Sequence, residues 1–80
     1  MSTVLERIKK VTADVLKIDA AFIDDNARFV EDLGAESVQS VELIAAFEEE
    51  FEVELEEEDA LGVKTVGDAA RHVQQALEEE

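Results

Sequence analysis

Apolar residues recur at helical spacing near the start of the chain. The stripe consists of Val4, Ile8, Val11 and Val15, widened by Leu5 and Leu16. Positions i, i+4, i+7 and i+11 fall on one face of an α-helix. Thr3 and Glu6 fit a capping box, in which both side chains accept backbone N–H groups of the first turn. The pattern predicts a helix over residues 4–16.

Residues 17–36 are too irregular for one long helix. Asp24, Asp25 and Asn26 favour a turn, and we expect five apolar residues to anchor the segment to the core: Ile18, Phe22, Ile23, Phe29 and Leu33. A connection of this length in a compact domain is typical of a functional loop or of unrecognised local structure. The sequence therefore predicts a long, ordered first loop.

Three further helices are predicted after this loop. One spans residues 37–51, a short one lies near 57–61 and ends at Gly62, and the last begins with Thr65 as its cap. The buried face of the last helix is formed by Val66, Ala69, Ala70, Val73 and Leu77. The fold predicted is all-α: a small four-helix bundle of three main helices and one short helix, forming a single domain over residues 1–80.

The helix predicted over residues 37–51 has two apolar faces. At about 100° per residue, one stripe faces the core and contains Leu43, Ile44, Phe47 and Phe51. A second, smaller patch contains Val38, Val41 and Ala45, flanked by Glu42, Glu48 and Glu49. Small apolar residues ringed by charges suit a weak, reversible docking site for a basic protein. Periodicity alone does not decide whether this second patch is exposed for docking or buried like the first, and both alternatives are equally open.

The net charge of the chain limits the classes of molecule that it can bind. The chain has 22 acidic and 7 basic residues, a net charge of −15. Such a field repels nucleic acid and anionic membranes and attracts proteins with basic patches. No apolar window is long enough to cross a bilayer, and the first residues lack a signal-peptide profile. We therefore expect a cytoplasmic protein that binds no nucleic acid and does not insert stably into membranes.

Few residues are candidates for chemistry. Ser37 opens a predicted helix, where a serine is ordinarily an N-cap, although a helix start also suits an attached phosphate. The only histidine, His72, is predicted to be a solvated surface residue. The chain has no cysteine, and a calcium-loop pattern fails at Arg28 and Phe29. We expect no catalytic residues and no dedicated metal site.

The stretch FVEDLGAESVQSVELIAAFEEEFEVEL closely resembles the prosthetic-group region of acyl carrier proteins. The usual family pattern there is Gly-Ala-Asp-Ser-Leu followed by an acidic helix. The likeness extends from ERIKKVTADVLKID through DDNARFVEDLG to TVGDAARHV. It implies a stand-alone carrier, not an enzyme, with the same four-helix order.

The resemblance implies specific roles. Ser37 would carry a 4'-phosphopantetheine arm, added from coenzyme A by a phosphopantetheinyl transferase, whose thiol holds acyl groups as thioesters. Partner enzymes with basic docking patches, among them acyl synthases and transferases, would contact Glu36, Val38, Val41, Glu42, Ala45, Glu48 and Glu49. The acyl chain would be sheltered among Leu43, Ile44, Phe47, Leu55 and Leu61. The carrier is expected to be a monomer.

Two residues depart from the family pattern. Glu36 replaces the usual aspartate before the serine, and Val38 replaces the usual leucine after it. The variant Glu-Ser-Val motif bears on which transferase and synthase recognise the chain. Alternatives to a fatty acid carrier are a carrier for polyketide, aminoacyl or specialised lipid cargo, or an unmodified acidic adaptor protein.

Overall fold

Four α-helices follow one another in residues 3–79, the part of the chain that the computed structural model describes, without the side chains of Glu57 and Leu61. They are α1 (Val4–Leu16), α2 (Ser37–Phe51), α3 (Glu57–Leu61) and α4 (Val66–Glu78). All four predicted helices are confirmed, and within residues 3–79 the only β-type pairing is an isolated bridge between Arg28 and Thr65.

Threonine caps begin the first and last helices, as the sequence predicts. Thr3 Oγ1 accepts the N–H of Glu6, and Thr65 Oγ1 accepts the N–H of Asp68, both at 3.1 Å. Each bond satisfies a backbone donor that has no partner inside the helix. These two helix starts are therefore fixed by local sequence.

The core lies where α1 packs against α2 and α4. Its buried side chains come from all three long helices and include Ile8, Leu43, Phe47, Phe51, Val66, Ala69 and Val73. Thr12 is fully buried among them, and its hydroxyl donates to the carbonyl oxygen of Ile8 at 2.8 Å. This bond removes the cost of burying an unpaired hydroxyl.

The long first loop is pinned at its middle. Ile23 and Phe29 are buried, the N–H of Phe29 donates to Lys64 O at 3.0 Å, and the N–H of Val66 donates to Ala27 O at 2.9 Å. These contacts tie the loop to the start of α4. The loop therefore has a fixed path over the bundle although it lacks a long helix.

One predicted loop anchor is wrong: Phe22 is 80% exposed. A 3₁₀ turn at Ala20–Phe22 lies in this part of the loop. The turn directs Ile23 into the core, where it is 3% exposed, and leaves the preceding aromatic side chain outside. Hydrophobicity alone does not distinguish these neighbours, because the turn decides which of them faces inward.

A hydrogen-bonded ion pair between Arg28 and Asp32 closes the second half of the loop. The Arg28 backbone N–H donates to Asp32 Oδ2 at 2.9 Å, and the Arg28 guanidinium donates to both carboxylate oxygens at 3.2 Å. The hydrogen bonds from Arg28 lower the pKa of the Asp32 carboxyl below its ordinary value of 3.8. The folded loop therefore favours the ionised form of Asp32.

This lowered pKa predicts a pH-dependent contribution to stability. A carboxyl whose pKa is lower in the folded state stabilises the fold above its unfolded pKa, and the effect is lost as pH falls through the folded pKa. We expect Asp32→Asn to lower the melting temperature slightly at about pH 6, because the pair is exposed.

The difference from wild type should vanish as pH falls well below the ordinary carboxyl value of 3.8. Thermal unfolding of both proteins across this range, followed by circular dichroism, measures it. Asp14→Asn is the control, because Asp14 is exposed and has no ion pair within the described residues. A difference between wild type and Asp32→Asn that stays constant with pH would contradict the assignment.

Candidate functional site

Ser37 is the first residue of α2 and not its cap. The N-cap is Glu36, whose backbone N–H donates to Gln39 Oε1 at 2.9 Å. Gly34, two residues before the cap, has φ = 73°, which glycine adopts at little cost. The predicted helix start at residue 37 is confirmed, and the ordinary interpretation of Ser37 as an N-cap does not hold, because Glu36 and Gln39 close the helix start instead.

The Ser37 side chain is consequently free. It is exposed, and its hydroxyl takes part in none of the hydrogen bonds among residues 3–79. The N–H of Ser40 makes the first bond into the helix, to Glu36 O at 2.9 Å. The N–H groups before Ser40 therefore have no backbone acceptor inside α2, and they lie at the positive end of the helix dipole.

A cavity of about 400 Å³ opens beside Ser37. Its walls include four of the residues that the family resemblance implies around an acyl chain: Leu43, Ile44, Phe47 and Leu55. The side chain of Leu61, the fifth, lies outside the described part of the structure. Six further apolar residues of its walls were not predicted from the sequence: Phe29, Val30, Ala60, Val63, Ala69 and Val73. The volume is within the range of small-molecule pockets.

Basic side chains stand among the polar residues of this cavity. Arg28, Lys64 and His72 line it together with Glu31, Ser37 and Ser40. The prediction that His72 is a solvated surface residue is wrong, since the side chain is half-buried at the cavity. The missed signal is its position three residues after Ala69, which places both on one side of α4.

The second apolar patch of α2 is exposed. Val38 is 67% and Val41 56% exposed, and Ala45 is exposed beside them. Leu43, Phe47 and Phe51 on the other face are each at most 6% exposed. The alternative of a helix buried on both faces is therefore excluded. We call Val38, Val41 and Ala45, with exposed Glu42 and Glu49, the α2 face.

Glu48 differs from the other two glutamates that flank this patch. It is half-buried, and its Oε2 accepts the backbone N–H of Leu55 at 2.9 Å. Its own carbonyl oxygen accepts the N–H of Glu52, which ends α2 in a left-handed conformation. Glu48 thus fixes the turn that leads from α2 to the cavity wall at Leu55.

The acidic side chains do not converge on a common point. Within residues 3–79, no group of three or more His, Asp or Glu side chains is arranged to hold a metal ion. No helix of these residues combines the length and the apolar character that crossing a bilayer requires. The features that converge in this region are Ser37, the apolar cavity beside it and the α2 face.

Comparison with known proteins is consistent with this geometry. Residues 6–73 match a family described as "Phosphopantetheine attachment site". The chain is 46% identical over 76 residues to "Acyl carrier protein" of Sinorhizobium fredii and to "Acyl carrier protein AcpP" of Rhizobium meliloti, covering 95% of this chain and 97% of each relative. It is 44% identical over 77 residues to "Acyl carrier protein" of Phenylobacterium zucineum, covering 96% and 98%.

Proposed function

The chain belongs to the acyl carrier protein family, and on that premise we propose that Ser37 is its attachment residue. Proteins of this family carry a covalently attached 4'-phosphopantetheine and are carriers and not catalysts. The observation that supports Ser37 is its exposed, unbonded hydroxyl at the start of α2, beside an apolar cavity.

The surroundings of Ser37 fit an attached phosphodiester. The first-turn N–H groups and the helix dipole favour negative charge at this end of α2. Lys64 and His72 line the adjoining cavity in a chain whose net charge is −15. When attached, the arm supplies a thiol that holds an acyl group as a thioester. The first-turn N–H groups and Lys64 thus favour the charge of the phosphate, whereas Glu31 in the same cavity and Glu36 before Ser37 oppose it.

The cavity suits the acyl part of the cargo. Leu43 and Phe47 are almost fully buried at its inner wall, and Ile44 and Leu55 are half-buried beside them. An apolar chain that enters from the side of Ser37 exchanges water for apolar contacts, which is favourable at about 25 cal/mol per Å². We propose that these four residues line the cavity that holds the acyl chain. The same role for Leu61 stays a prediction from the sequence.

The α2 face is the proposed contact for partner enzymes. Acyl carrier proteins interact with acyl-chain biosynthetic enzymes and with phosphopantetheinyl transferase. Val38 and Val41 offer exposed apolar contact, while Glu42 and Glu49 steer a basic partner toward it. Glu36, exposed at the cap, adds a charge directly before Ser37. Glu48 is less available to a partner than Glu42 and Glu49, because its carboxylate accepts the backbone N–H of Leu55 and holds the end of α2.

Three properties of the carrier complete the proposal. A small exposed patch and high like charge favour a monomer. The same charge keeps the chain off anionic membranes and nucleic acid, which suits the cytoplasm. Residues 1–80 act as one carrier domain.

Intact-mass measurement tests the attachment. The purified wild-type chain is incubated with coenzyme A and a phosphopantetheinyl transferase, and fragmentation then locates any added mass. We expect one phosphopantetheine increment per chain, located on Ser37. Absence of an increment would favour the unmodified acidic adaptor, and an increment on another residue would contradict the assignment to Ser37.

Charge reversal tests the α2 face. Glu42→Lys combined with Glu49→Lys should slow loading by the transferase about tenfold or more, because complementary charge speeds encounter. Initial rates at low salt measure the effect, which should shrink as salt is added.

The matched control is Glu78→Lys combined with Glu79→Lys. It makes the same change in net charge at exposed positions near the end of α4. Glu48 is left unchanged, since its substitution would also break the bond to Leu55. Equal slowing in both double variants would mean that net charge, and not the α2 face, governs the encounter.

A further inference from the structure

One exposed aromatic residue serves neither the cavity nor the α2 face. Four large apolar residues are strongly exposed among the described residues: Phe22, Val30, Val38 and Val41. Val38 and Val41 belong to the α2 face, and Val30 lines the cavity beside Ser37. Phe22, at 80% the most exposed of the four, lies at neither site.

The backbone holds Phe22 in this outward position. Asp19 Oδ1 accepts the N–H of Ala21 at 2.9 Å, and the carbonyl oxygen of Asp19 accepts the N–H of Phe22 at 3.0 Å. The next residue, Ile23, is buried and fixes the end of the turn. An aromatic side chain presented by an ordered backbone loses little conformational entropy when it is bound.

An acidic groove runs beside Phe22. It is lined by Lys9, residues 21–27, Asp32 and Leu33. Lys9 pairs with Asp25, and Arg28 pairs with Asp32. Asp24 is exposed and has no ion pair within residues 3–79. Three carboxylates and one basic side chain therefore line the groove beside Phe22, and a basic surface is complementary to this net negative charge.

This groove is separate from the site at Ser37. It shares no lining residue with the cavity beside Ser37. The 3₁₀ turn that carries Phe22 packs against α1, whereas the docking patch lies on α2. A protein bound at Phe22 can therefore leave Ser37 and the α2 face accessible to an enzyme.

We propose that Phe22 and this groove form a second docking surface for a partner protein, which inserts Phe22 into an apolar pocket rimmed by Lys or Arg. A second copy of the chain is a poor occupant, since each copy carries a net charge of −15 and repels the other. The partner holds the carrier while other enzymes act on its arm. This role extends beyond carriage of the acyl group itself.

Photocrosslinking in the cell identifies the occupant. The full chain carries p-benzoylphenylalanine at position 22 or, as control, at exposed Gln74 on α4. Mass spectrometry then identifies the proteins that are joined on irradiation. We expect an adduct at position 22, absent at position 74, with a protein that has a basic surface. No adduct specific to position 22, or one only with a second copy of the chain, would overturn the proposal.

The crosslinked partner is then purified and titrated with the carrier, and the Kd shows whether Phe22 anchors the complex. Phe22→Ser should weaken its Kd at least about tenfold, as expected for losing a buried aromatic side chain. Val41→Asp, on the α2 face, should leave the Kd unchanged. Both variants should keep the wild-type melting temperature, and Phe22→Ser should still be loaded at Ser37. An unchanged Kd for Phe22→Ser, or equal weakening by both variants, would overturn a separate surface.

Discussion

Ser37→Ala is expected to abolish phosphopantetheine loading completely while leaving the melting temperature within a few degrees of wild type. The loss is complete because the proposed phosphodiester needs the Ser37 oxygen. The stability is retained because Glu36, and not Ser37, is the N-cap, and because alanine is a good helix former at the first position of α2. Intact mass after transferase treatment and thermal unfolding measure the two outcomes.

Ser40→Ala is the matched control for this variant. Ser40 lies one helical turn from Ser37, lines the same cavity and donates its hydroxyl to Glu36 O at 3.3 Å. We expect it to be loaded at close to the wild-type rate. Loading of Ser37→Ala, or its loss in Ser40→Ala, would contradict the proposed attachment residue. A large drop in the melting temperature of Ser37→Ala would instead mean that Ser37 stabilises the start of α2.

Phe47→Ala is expected to have the largest effect on stability. Phe47 is 4% exposed, and its ring centroid lies 6.3 Å from that of Phe29. Truncating a buried phenylalanine costs about 3–5 kcal/mol, against about 5–15 kcal/mol for the whole unfolding free energy of a typical domain. The melting temperature should fall by at least about 12 °C, at about 4–8 °C per kcal/mol. Urea unfolding followed by circular dichroism measures the free energy.

Phe22→Ala is the natural control, because it makes the same chemical change at a position that is 80% exposed. We expect its unfolding free energy to stay within about 0.5 kcal/mol of wild type. Comparable losses in the two variants would mean that Phe22 packs against the core. A wild-type-like Phe47→Ala would mean that the cavity already leaves Phe47 poorly packed.

The helices were predictable because each depends on local signals. Thr3 and Thr65 cap α1 and α4 through bonds to residues three positions away, and apolar spacing defines the faces of α2. The separation of the α2 face from the core also follows from helical geometry. The four helices and a second apolar patch on α2 were thus predictable from the sequence, whereas the exposure of that patch was left open.

The remaining features depend on contacts that periodicity does not encode. Which of Phe22 and Ile23 faces inward is decided by a 3₁₀ turn. The burial of His72 depends on where α4 lies relative to the cavity. The cap at Glu36 depends on the reciprocal position of Gln39. Glu48 binds the N–H of Leu55 seven residues away, across the end of its helix.

The position of the cap has a consequence for the order of events in the life of this protein. Because the Ser37 hydroxyl makes no hydrogen bond within residues 3–79, no contact of the folded chain has to break when a group is attached there. The attachment proposed at Ser37 can therefore follow folding and leave the bundle as it is.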